Sequence, residues 1–106
     1  MPRYLLEVDY TLDGVRGVVD KGGSARRTAA QAAAESVGGT LDAFYFAFGE
    51  TDVFAIADLP DNSAAAALAL AVTAGGGATV RTVVLLTPEE IDSATQTTVQ
   101  YAPPGS

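Results

Sequence analysis

The chain has no cysteine and no histidine. Without cysteine there is no disulfide staple and no thiolate nucleophile, and the redox compartment leaves no mark on the sequence. Without histidine, a Ser-His-Asp triad, a Cys-His pair, a histidine-ligated haem and an ordinary zinc site are all excluded. Any proton transfer falls to Asp, Glu, Tyr, Lys or water. Basic residues are scarce too. Six Lys and Arg stand against thirteen Asp and Glu, a formal charge of −7, and Arg81 is the sole base after residue 27. Such acidity argues against a nucleic-acid partner and repels anionic membranes. No apolar run approaches a membrane span, and Met1-Pro2-Arg3-Tyr4 does not open like a signal peptide, so a cytoplasmic location is expected.

What the chain does have is a length of 106 residues with 48% apolar composition, much of it alanine. That is enough for one domain and one core built from small residues around a few Phe, Leu and Val. Every Phe falls in Phe44-Tyr45-Phe46-Ala47-Phe48-Gly49-Glu50-Thr51-Asp52-Val53-Phe54-Ala55-Ile56. Alternating aromatics followed by Gly, Glu, Thr and Asp read as a β-hairpin with a turn of about three residues. That turn sets Phe48 opposite Asp52, Phe46 opposite Phe54 and Phe44 opposite Ile56. One face is then bulky, while Tyr45, Val53, Ala55 and Ala57 make a smaller apolar face on the other side. A sheet with two apolar faces needs cover on both.

The remaining elements follow from periodicity and caps. Residues 4–10 alternate cleanly, with Leu6, Val8 and Tyr10 facing one way and Leu5, Glu7 and Asp9 the other. Thr11 is placed to cap a short helix bearing Leu12, Val15 and Val19, weakened by Gly14 and Gly17. Ser24 is the expected N-cap of a helix over about 25–37, packing through Ala25, Thr28, Ala29, Ala32 and Ser36 or Val37, and Gly38-Gly39 ends it. Pro60 to Ser63 is a turn before a second Ala/Leu helix over about 64–74. Gly75-Gly76-Gly77 follows that helix and lacks the Lys-Ser or Lys-Thr of a phosphate loop, so it reads as a helix stop. Residues 79–86 form the fourth strand. Thr87-Pro88-Glu89-Glu90 opens a last short helix. Residues 1–94 are thus one domain, and 95–106 an extended tail.

The order β-α-β-β-α-β is the ferredoxin-like α+β pattern: a four-stranded antiparallel sheet with two helices on one face. The other face is too apolar to stay wet, and a second copy of the chain is the economical cover.

Gly49-Glu50-Thr51-Asp52 resembles the signature of the GYD domain family, small bacterial α+β proteins of largely unassigned function. The resemblance runs over most of residues 2–92 and takes in Tyr10-Thr11, Ser24, Gly38-Gly39, Phe44-Tyr45, Pro60-Asp61 and Val80-Arg81-Thr82. Thr51 stands where the family usually has Tyr. Membership implies a dimeric α/β barrel with two sheets face to face, and strand order 4-1-3-2. It implies no particular activity, cofactor or metal.

That strand order puts Arg81 near Asp9 on the open face, with Glu7 beside them and Tyr45 looking into the same space. Acid, guanidinium and phenol there are candidates to bind a small polar ligand. Alternatively, Arg81 neutralises Asp9 or Glu7 where subunits meet. Asp52 is a further candidate, either as a ligand group or as a turn acid bonded to backbone amides. The reading is a homodimeric or larger binding and assembly protein without cofactor. The alternative is a cofactor-independent enzyme, with Tyr45 or an acid moving a proton and Arg81 holding an anionic group.

Overall fold

The computed structural model describes residues 1–105. Along the chain run β1 (Arg3–Tyr10), α1 (Leu12–Lys21), α2 (Gly23–Ser36), β2 (Thr40–Phe46), β3 (Val53–Asp58), α3 (Asn62–Ala74), β4 (Ala78–Leu85) and α4 (Pro88–Thr95). The four strands make one antiparallel sheet in the order β2-β3-β1-β4. This is the ferredoxin-like arrangement.

Local chemistry explains the boundaries. Thr11 accepts from the Gly14 amide at the start of α1 and donates to the Gly76 carbonyl. Gly14 is not the weakness it seemed. A Cβ there would lie 1.9 Å from the Gly77 carbonyl oxygen, so only glycine lets α1 close on the glycine run. The α2 helix begins earlier than its caps promised. Gly22 holds its N-terminus with φ +87, and Ser24 lies inside the helix. The inward residues are Ala30, Ala33, Ala34 and Val37, so the packed face is turned by about one residue from the expected seam of Ala25, Thr28, Ala29 and Ala32, while Val37 packs as one of its two expected ends. The far end is a Schellman motif: Gly38 has φ +85, its amide donates to Glu35, and the Gly39 amide donates to Ala34. Asp61 caps α3 and Gly75 stops it. Thr87 and Glu90 form a reciprocal capping box on α4, with Pro88 in its first turn.

The core lies between the helices and one sheet face, around Tyr4, Leu6, Val53, Ala55, Ala57 and Leu59. Tyr4 is almost wholly buried, and its hydroxyl donates to Asn62 Oδ1 at 2.6 Å, which removes the penalty of an orphaned donor.

The hairpin differs from expectation by one residue. Phe46 pairs with Val53, Tyr45 with Phe54, and Phe44 with Ala55. Because side chains alternate, this slip redistributes both faces. Phe44 and Phe46 join Val53 and Ala55 on the helix side, while Phe54 and Ile56 turn to the open side. The cause is Asp52. Its amide donates to the Val8 carbonyl and its carboxylate accepts from the Tyr10 amide, so it belongs to the end of β1 and cannot face Phe48. Residues 47–52 become a six-residue loop, and Phe48 projects fully into solvent. A bulge at Asp42 keeps Leu41 on the helix side.

Candidate functional site

One cross-strand row of the open sheet face runs from Tyr45 on β2 through Phe54 on β3 and Glu7 on β1 to Arg81 on β4. Of the residues singled out in the sequence, Asp9 and Arg81 meet directly. Arg81 Nη1 donates to Asp9 Oδ2 at 2.7 Å, and its Nη2 donates to the Thr51 hydroxyl at 2.9 Å. Glu7 lies opposite Arg81 in register, yet the guanidinium reaches diagonally to Asp9. One side chain thus ties β4 to β1 and to the loop between β2 and β3.

Asp52 sits next to this pair and is largely spent on backbone. Its Oδ2 accepts from the Tyr10 amide at 2.8 Å, and its own amide also approaches Asp9 Oδ1 at 3.3 Å. Tyr45 stands apart. It is three strand spacings from Arg81, roughly 14 Å along the hydrogen-bonding direction, and it is 70% exposed. Within the chain, then, Glu7, Asp9, Asp52 and Arg81 form a cluster, and Tyr45 occupies the opposite edge.

Thr51 escaped the sequence reading. It is the one buried polar residue among the described residues. The only signal for it was its place in the turn signature, where threonine replaces the usual tyrosine. Arg3 escaped as well: it pairs with Asp42 and, at 3.4 Å, with Asp58, bracing the end of the sheet far from Arg81.

The electrostatics follow the geometry. The Arg81 hydrogen bond holds the Asp9 carboxyl below its usual range, against a smaller desolvation effect. Asp9 in turn raises Arg81, with lesser help from Glu7 and Glu50. On the other face, burial raises the Tyr10 hydroxyl, and the Arg26 guanidinium partly offsets it. Arg81 uses two of its five N–H donors on Asp9 and Thr51, so the rest remain available on a half-exposed side chain. No cluster of three or more acids suited to hold a metal ion occurs among the described residues. No helix among them is long and apolar enough to cross a membrane.

Comparison with known proteins gives one match. The model of the GYD domain family matches residues 4–95, spanning every element from β1 to α4. No curated protein and no solved structure matches the chain.

Proposed function

The chain belongs to the GYD domain family, and on that premise we propose that it is a small homo-oligomeric binding and assembly protein. Two copies bury their open sheet faces against each other, and a small polar ligand sits between them beside Arg81. The observation that carries this reading is the uncovered face. Phe54 and Val83 are 38% and 40% exposed, Tyr45 more so, with Leu5, Ile56 and Leu85 half-buried between them. Contiguous apolar surface of this kind usually marks an interaction site. The remaining Arg81 donors would take oxygen acceptors of the ligand, Asp9 and Asp52 would fix the guanidinium's surroundings, Glu7 would be its polar neighbour on the next strand, and Tyr45 would line the far end of the space between the sheets. The setting is cytoplasmic, and the acidic surface disfavours nucleic acid and anionic membranes as partners.

The enzyme alternative needs a proton-moving group, Tyr45 or an acid, beside an anion-holding Arg81. Tyr45 and Arg81 lie at opposite edges of the sheet, and Asp9, the acid that meets Arg81, is held by it as a carboxylate with a lowered pKa, which favours binding over proton transfer. Light scattering at micromolar concentration, with a thermal-stability screen of small oxygen-rich metabolites, tests it. A dimer or larger assembly, stabilised by a metabolite whose effect disappears in Arg81→Ala, is expected. A monodisperse monomer overturns it.

A further inference from the structure

Alanine governs the packing of the helical layer. The α2 helix lies over β2, an outer strand, and α3 lies over β4, the other outer strand. The middle of the sheet, β1 and β3, is therefore covered chiefly by what the two helices extend toward each other, with α1 touching β1. From α2 these are Ala29, Ala30, Ala33 and Ala34; from α3 they are Leu68 and Val72. Methyl groups do not fill that span. A space of about 120 Å³ remains, floored by Leu6, Val8, Ala55 and Val80. An apolar cavity of about 150 Å³ is known to stay dry and accept benzene, so the size suits a single ring.

This space is not sealed. Tyr10, Arg26, Val72 and Ala78 line it and also line a wider opening of about 460 Å³ between α1 and the end of α3. The mouth carries a cation without a carboxylate: among the described residues the ion pairs involve Arg3 and Arg81, and none involves Arg26. Arg26 also stands in the first turn of α2, where the macrodipole already makes the potential positive. An acidic group would relieve both. Asp13 lies on the outer opening, away from the inner chamber's lining, so it disfavours an anion further out and leaves Arg26 as the anchoring point.

We propose that the space between α2, α3 and the sheet binds a small aromatic carboxylate, its ring in the alanine-lined chamber and its carboxylate on Arg26. The site belongs to one protomer and does not depend on how the open face is covered. Benzoate and toluene are the probes, titrated into the full chain and followed by amide and methyl NMR shifts. Benzoate is expected to move signals of Ala29, Ala33, Leu68 and Val72. Arg26→Gln is expected to weaken benzoate about tenfold, the loss of one charge-assisted hydrogen bond, while leaving toluene unchanged. Ala33→Leu fills the chamber and should abolish both; Phe54→Asp on the open face should change neither. Four results overturn the proposal: no shifts at millimolar probe, shifts confined to the open sheet face, binding untouched by a folded Ala33→Leu, or equal benzoate affinity in Arg26→Gln. The last needs only an exposed substitution, so it decides even if Ala33→Leu fails to fold.

Discussion

Val53 and Phe54 are neighbours in β3, yet Val53 is fully buried and Phe54 is 38% exposed. They represent the two sides of one sheet. The helix side is built from Tyr4, Leu6, Val8, Val53, Ala55 and Ala57, with no charge among them. The open side mixes Phe54, Ile56 and Val83 with Glu7, Asp9 and Arg81. One side has solved its burial within the chain; the other holds apolar surface together with a charge network. The difference teaches that apolar content alone does not say which side of a strand becomes core. Small side chains let helices approach, and alanine occupies Ala55, Ala57, Ala34 and Ala65, where the layers meet.

The contrast is open to direct tests. Leu6→Ala on the helix side should destabilise the protomer by about 2–5 kcal/mol. Phe54→Asp on the open side should cost the fold about 1 kcal/mol or less and yet dissolve the proposed homo-oligomer. Denaturant melts read the first effect, and light scattering reads the second. If Phe54→Asp unfolds the chain as Leu6→Ala does, both sides are core and the contrast fails.

The covering layer gives a smaller effect with a change of sign. Gly14→Ala drives a methyl group into the Gly77 carbonyl and should destabilise by about 1–3 kcal/mol. Gly17→Ala, with nothing within 4 Å of its new methyl, should stabilise by up to about 1 kcal/mol. Two glycines three residues apart in one helix should therefore move the urea midpoint in opposite directions.

The smallest effects separate the sides by pH. Asp9 has its folded pKa depressed below the ordinary 3.8, chiefly by Arg81. Its contribution is full above that ordinary value and is lost as pH falls through the folded one. Tyr10 has its folded pKa raised above the ordinary 10.0 by burial. Its contribution is present below that value and is lost as pH rises through the folded one. Arg81→Ala should flatten only the acid limb of stability against pH, and Tyr10→Phe only the alkaline limb. A single substitution that flattened both would show that the two sides titrate as one unit.

Much of this molecule is legible without coordinates. The alternation of Leu6, Val8 and Tyr10 against Glu7 and Asp9 assigns the sides of β1, because a strand's period is two. Thr11, Asp61, Thr87 and the glycine pairs mark helix ends through cap chemistry that is local in sequence. The meeting of Asp9 with Arg81 follows once the strand order is granted. The hairpin register does not, since three-residue and six-residue loops both suit Gly49-Glu50-Thr51-Asp52. Tertiary contacts decided it: bonds from Asp52 to the end of β1 outweighed the local turn preference, and one residue of slip moved Phe54 to the open face. The burial of Thr51 under Arg81 and the gap above Ala33 have the same origin. Both depend on distances between elements far apart in sequence, which local propensity does not encode.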